Sequence, residues 1–250
     1  MSKYLSVENV FGGYFSHKPI LKNISFSVNE GEMVGLIGLN GAGKSTTIKH
    51  ILGLMKPQQG TIQIAGRTLE HAPLDYRASF AYVPETPELY DELTIQEHLH
   101  LSAFAYGLSE KDYLQRSEAL LELFQMKDKA AHFPPHLSKG MRQKVMIMSA
   151  FLVEPALYII DEPFLGLDPL GIRSLLELMV RFKKQGASFL ICSHILSTLE
   201  RYCDKFIVLH HGEILFQGTL SDMRQAAGSP EASLDDLFFE LLRGQGVERS

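Results

Sequence analysis

The sequence predicts an α/β fold built on a parallel sheet, and three observations carry that expectation. Three short apolar runs, at 33–37, 157–160 and 189–192, are bounded by loop signals and have the form of strands buried on both faces. Helix-length segments alternate with them, and a glycine-rich loop stands between the first run and a helical segment at 44–52. Ahead of this core, Val7-Glu8-Asn9-Val10 and Ile24-Ser25-Phe26-Ser27-Val28 alternate apolar and polar residues, which predicts an N-terminal antiparallel sheet with one solvated face. From 93 to 129 the pattern is helical, with Leu120, Leu121 and Phe124 on one face, and Pro134-Pro135 ends it. This predicts a helical insertion at about 87–150 within a single domain at 1–220. The pair His211-Gly212 predicts a hairpin between 206–209 and 213–216 that ends at Gly218. In a short extension at 221–250, Ser233 precedes Leu234, Leu237, Phe238, Leu241 and Leu242 at helical spacing, so a capped terminal helix docked on its own domain is expected.

Composition narrows the function classes. The chain has 250 residues, 45% hydrophobic and 21% charged, which excludes disordered, collagenous and fibrous classes. Lys and Arg number 24 against 29 Asp and Glu, a net charge of −5, so no overall positive field exists to hold a polyanion. Cys192 and Cys203 fall in no metal or redox spacing, and a reducing, cytosolic compartment is expected. The opening residues, interrupted by Glu8 and Asn9, are not expected to form the apolar core of a signal peptide. The longest apolar stretch, 145–153, is closed by Lys144 and Glu154 at about half of the ~20 residues a bilayer requires.

Two local constellations carry chemistry. Gly38-Leu39-Asn40-Gly41-Ala42-Gly43-Lys44-Ser45 fits G-x-x-x-x-G-K-[ST], with Thr46 following, and lies between a buried strand and a helix. Glycines at 38, 41 and 43 are expected to allow positive φ and close approach, so that successive N–H groups wrap a phosphate at a helix N-terminus. Lys44 would charge-pair with the β and γ phosphates, and the Ser45 hydroxyl would ligate Mg²⁺. The second constellation is Asp161-Glu162 at the end of a buried strand, where ligands of open α/β sheets bind. Asp161 is expected to hold the metal and Glu162 to reach the water that attacks the γ-phosphate.

Between them, Leu137-Ser138-Lys139-Gly140-Met141 opens a helical run. With this segment in place the whole chain resembles the ATP-binding subunit of ABC transporters. In that reading 38–45 is the Walker A loop, 137–141 the signature motif, 157–162 the Walker B strand, Gly166-Leu167-Asp168 the D-loop and His194 the switch histidine. Tyr14, with Phe15 as the alternative, is the aromatic that stacks on adenine. The resemblance implies a P-loop core with an antiparallel β-subdomain and a helical subdomain, and an ATPase using ATP and Mg²⁺. It implies a head-to-tail dimer in which Ser138 and Gly140 of one copy close over the ATP held by the other. A separate membrane-spanning permease is the implied partner, with the ATPase peripheral on the inner face of the cell membrane and no nucleic acid involved.

Three positions depart from the family pattern. Lys139 and Met141 stand where glycine and glutamine are usual, and Lys139 is expected to point to solvent. In Val83-Pro84-Glu85-Thr86-Pro87, Glu85 replaces a glutamine that contacts the metal and the attacking water, keeping an oxygen ligand but adding charge. These deviations, together with the runs Ile159-Ile160-Asp161-Glu162-Pro163-Phe164 and Leu36-Ile37-Gly38-Leu39-Asn40-Gly41, resemble most closely the ATPases of bacterial Ecs-type transporters, generally counted as exporters. The rival readings are a soluble ABC-type ATPase acting on a non-transport partner, which the −5 charge disfavours for nucleic acid, and a weakly hydrolysing regulatory subunit suggested by Glu85.

Overall fold

The computed structural model describes residues 2–15 and 17–244, which fall into two compact units. The first comprises 1–79 and 188–250, the second 80–187. The last residues of the expected extension, 245–250, lie outside the described residues.

In the first unit, β1 (Lys3–Gly12) is the centre of an antiparallel sheet, flanked by β2 (Leu21–Asn29) and β4 (Gln59–Ile64). Val7 pairs with Phe26 and Val10 with Ile24, and all four are buried; strict alternation would put Val7 and Val10 on opposite faces, and a register irregularity between them, where Asn9 takes φ 50°, brings both inward. The third strand, β4, is signalled only by Ile62 and Ile64, which is why the sequence reading passed over it. A second sheet orders β7 (Ser188–Cys192), β3 (Met33–Ile37), β8 (Lys205–His210) and β9 (Glu213–Gly218). β7, β3 and β8 are parallel, and β9 returns antiparallel through the His211-Gly212 turn, where both residues have positive φ. Every residue of β3 and β7 is buried, the condition that a two-sided parallel strand predicts.

Among the described residues of this unit the helices are α1 (Lys44–Ile51), α2 (Pro73–Ala78), α7 (Leu196–Tyr202), α8 (Leu220–Ala227) and α9 (Leu234–Arg243). The terminal helix α9 has the expected N-cap at Ser233, which Asp236 completes as a capping box, and it buries Leu234, Leu237, Phe238 and Leu242. It is pinned to α7 by Glu200, whose carboxylate accepts from Leu234 N at 2.8 Å and pairs with Arg224 of α8 at 3.5 Å.

The second unit holds the parallel pair β5 (Phe80–Val83) and β6 (Leu157–Asp161), with α3 (Ile95–Ala105), α4 (Glu110–Leu123), α5 (Lys139–Leu152) and α6 (Pro169–Lys184). The expected helical stretch is two helices, divided where Gly107 takes φ 70°, and each has its own cap: Thr94 with Glu97 for α3, Ser109 for α4. Leu120, Leu121 and Phe124 are buried as their spacing implied. Beneath them Phe151 stacks on Tyr158 at 4.5 Å and meets Phe182 edge-on at 5.5 Å, which fixes α5 and α6 against β6.

One buried group makes the first unit acid-sensitive. His50, near the end of α1, is almost wholly enclosed, and burial lowers its imidazole pKa, the Thr46 backbone acting in the opposite sense. Neutral His50 therefore stabilises the fold above the ordinary histidine value of 6.5, and that contribution is lost as the pH falls through the lower folded value. Thermal unfolding followed from about pH 7.5 to about pH 5 should show a falling midpoint, and His50→Met should flatten that slope. His210, held low by burial and by His211, acts in the same direction, so some slope should remain.

Candidate active site

The chemistry-bearing residues divide between the two units. In the first, β3 runs straight into the glycine-rich loop and α1. Gly43 is the residue before α1 and takes φ 112°, with Gly41 at 78°, conformations that side-chain-bearing residues rarely adopt. Gly38 differs from the expectation: its φ is not positive. It must be glycine because a Cβ there would stand 2.5 Å from the Leu209 carbonyl oxygen of β8. The loop is tied from outside by Gly212 N donating to Ala42 O at 2.9 Å.

Inside the loop lies Lys44, only 8% exposed, whose Nζ donates to the carbonyls of Gly38 at 2.7 Å and Leu39 at 3.3 Å. A buried ammonium ringed by its own loop is a charge set in place for an anion. Ser45 is exposed at the first turn of α1, whereas Thr46 is buried; Leu39, Asn40 and Gly41 face outward, and a Cβ at Gly41 would meet nothing. The loop thus has an open side lined by backbone and by the Ser45 hydroxyl, which fits a phosphate chain with a hard, oxygen-seeking cation.

His194 follows β7 and is exposed, and the preceding Ser193 hydroxyl accepts from Ile195 N at 3.1 Å. Together with Gly38, Leu39 and Asn40 it lines a recess of about 200 Å³. The third wall is α9, through Asp235, Phe238 and Phe239, a contribution the sequence did not reveal. Tyr14 is 55% exposed, with its hydroxyl 3.2 Å from Lys49 Nζ of α1. Phe15 is 63% exposed and stands beside His17.

In the second unit, Asp161 and Glu162 are both buried, at 6% and 5% exposure, where β6 ends. Glu162 has φ 46°, a left-handed backbone costly for a residue with a side chain, and its carbonyl accepts from Leu165 N in the turn that follows. Ser138 is the exposed N-cap of α5 and accepts from Met141 N at 3.2 Å. Gly140 cannot bear a side chain, because a Cβ would collide with the Gly166 carbonyl oxygen; the segments at 137–141 and 166–168 are pressed together. Lys139 is exposed, in accord with its expected direction.

Asp168 caps α6 through Gly171 N at 2.6 Å and pairs with the buried Lys144 of α5 at 2.9 Å. Lys144 and the Gly171 amide hold its carboxyl below the usual carboxylate range. Glu85 is exposed on the loop after β5, and the backbone of that loop is held by Gln143 of α5, whose Nε2 donates to Pro84 O at 3.2 Å. Gln143 is fully buried, and its Oε1 has no hydrogen-bond partner among the described residues. The sequence offered no signal for it beyond its place on the buried face of α5.

A strand feeding a glycine-bounded loop with a lysine inside it and a helix behind it defines a phosphate-loop nucleotide-binding protein. The family model described as ABC transporter matches residues 21–165, and the chain belongs to that family, as an ATP-binding subunit that binds and hydrolyses ATP. It is 58% identical over 239 residues, 96% of each chain, to the ABC-type transporter ATP-binding protein EcsA of Bacillus subtilis (strain 168). A solved ATP-binding subunit of an ABC transporter superposes with a TM-score of 0.93 at 56% identity, over 96% of this chain and 99% of that one. CbiO1 from Clostridium perfringens, part of the ABC transporter complex cbiONQ, superposes with a TM-score of 0.76 at 26% identity, over 91% and 92%.

The double duty of Asp168 has a measurable signature. Asp168→Asn retains a capping oxygen but not the charge facing Lys144, whereas Asp168→Ala loses both. Chemical denaturation should place the alanine variant lower than the asparagine variant by about 1 kcal/mol, the usual worth of an N-cap.

Proposed function

We propose that this chain is the ATPase of a membrane exporter, working as a head-to-tail homodimer that closes over two ATP molecules and drives a separate membrane-spanning permease. The observation that carries the dimer is the outward-facing start of α5. Ser138 and Lys139 are exposed there, so the Ser138 hydroxyl and the helix-terminal amides can form an anion site. The unit that holds this site, 80–187, does not contain the phosphate loop, which lies at 38–45. Closure over the γ-phosphate bound by Lys44 of a second copy gives both halves a purpose.

In the closed state the amides of 39–43 and the Lys44 ammonium hold the β and γ phosphates. By the family resemblance Ser45 and Asp161 would hold Mg²⁺ through oxygen donors, with Glu85 as a further oxygen ligand, and the ion would supply positive charge to the phosphate oxygens. Glu162 orients the attacking water and accepts its proton, and His194 contacts the γ-phosphate. Tyr14 stacks on the adenine. No helix among the described residues is long and apolar enough to cross a membrane. The second unit exposes Phe104 at 79% and Tyr90 at 63%, with Leu101 nearby in α3, an apolar surface suited to docking on a permease at the inner face of the membrane.

Lys44→Ala should abolish ATP binding in calorimetry. Glu162→Gln should still bind ATP, lose at least about a hundredfold in turnover and run as a dimer on gel filtration with ATP; normal turnover in that variant would remove Glu162 from the mechanism. Glu85→Gln should keep ATPase activity within a few-fold, and a loss beyond about a hundredfold would show that the carboxylate itself is required. Purification in detergent should bring down a multi-spanning protein in fixed ratio.

A further inference from the structure

Two consecutive residues of α1, Lys49 and His50, reach the loop that carries Tyr14. The His50 imidazole is packed so closely on Gly12 that a Cβ at that position would collide with it. Lys49 extends its ammonium to the Tyr14 hydroxyl, 3.2 Å away, while remaining 5.2 Å from the ring centroid. The cation therefore stands at the hydroxyl end of the ring rather than over its centre, and the ring stays 55% exposed. The rest of the loop is held at the backbone: Ile20 N donates to Gly12 O at 2.8 Å, and Gln58 donates through its backbone N to Phe11 O at 2.8 Å and through Nε2 to Phe15 O at 3.1 Å. Among the described residues, Lys49 is the hydrogen-bond partner of the Tyr14 side chain.

Lys49 follows Ser45 by four residues, so both stand on one face of α1. The helix that starts at the phosphate loop thus also reaches the hydroxyl end of the aromatic ring. From this geometry we infer that Lys49 is a positioning residue for nucleotide recognition: it orients the Tyr14 ring for the adenine base through the phenol oxygen and makes no contact of its own with the phosphates. The inference rests on reading Tyr14 as the base platform. Stacking on an aromatic face tolerates any base, so a comparison among nucleotides would not isolate it; a ligand that has the phosphates and lacks the base does.

The test is calorimetric binding of Mg-ATP and of Mg-tripolyphosphate to the full chain and to Lys49→Met, Lys49→Arg, Tyr14→Phe and Tyr14→Ala. Lys49→Met should weaken ATP binding about three- to tenfold, with KM rising more than kcat falls, and leave tripolyphosphate binding unchanged. Tyr14→Phe, which keeps the ring and removes the hydroxyl, should match it, and the double variant should be no weaker than either single one. Lys49→Arg should restore most of the affinity. Equal weakening of ATP and tripolyphosphate by Lys49→Met would show that Lys49 acts on the phosphates and would overturn the inference, as would additive losses in the double variant. If Tyr14→Ala weakens ATP selectively while Lys49→Met and Tyr14→Phe do not, the platform reading stands and the role of Lys49 falls. If Tyr14→Ala changes ATP and tripolyphosphate alike, the platform reading fails and this inference with it.

Discussion

An ammonium group enclosed by the loop that precedes it is the constraint around which the first unit is arranged. Lys44 is nearly inaccessible, and the carbonyl oxygens of Gly38 and Leu39 are what make that burial tolerable. Those carbonyls point inward only because the loop turns through glycines and because Gly38 can lie against the Leu209 carbonyl of the neighbouring strand. Gly212, in the turn beyond that strand, holds the loop from the other side through Ala42. The fully buried β3 and the β8–β9 hairpin therefore act as the anvil on which the phosphate loop is formed, and α1 carries its orientation onward to the loop that bears Tyr14.

The second unit is organised by a different charge. Lys144 is buried on α5 and meets Asp168 at the start of α6, so the two helices are fastened near their N-terminal ends. Gly140 pressed on Gly166 closes the same junction at the backbone level. Gln143, one residue before Lys144, holds the loop bearing Glu85. The segment that opens α5, the segment before α6 and the loop after β5, far apart in sequence, are thereby referred to one helix. Movement of α5 would be felt at each of them.

Much of this was legible in the sequence, and for identifiable reasons. Uninterrupted apolar runs announced β3, β6 and β7 because strands covered on both faces have no room for polar side chains, and period-two alternation announced β1 and β2. The terminal helix was equally plain, from Ser233 and its apolar stripe. β4 was missed because two isoleucines in six residues hardly register, and β5 because four residues are too few to show a period. Of the two reasons expected for Gly38, close approach holds and positive φ does not: a strand more than 170 residues away in sequence leaves no room for a Cβ there.

The sequence by itself determined the kind of chemistry, because a lysine, a serine and spaced glycines at a strand-to-helix junction, or paired acids at a strand end, act through neighbours along the chain. Only the tertiary structure decided which side chains hold those groups in place. The Lys49 contact to Tyr14 spans 35 residues and the Gln143 contact to Pro84 spans 59, and α9 reaches the recess beside His194 from near the far end of the chain. Such contacts depend on where packing brings distant elements together, and no local pattern of residue types encodes them.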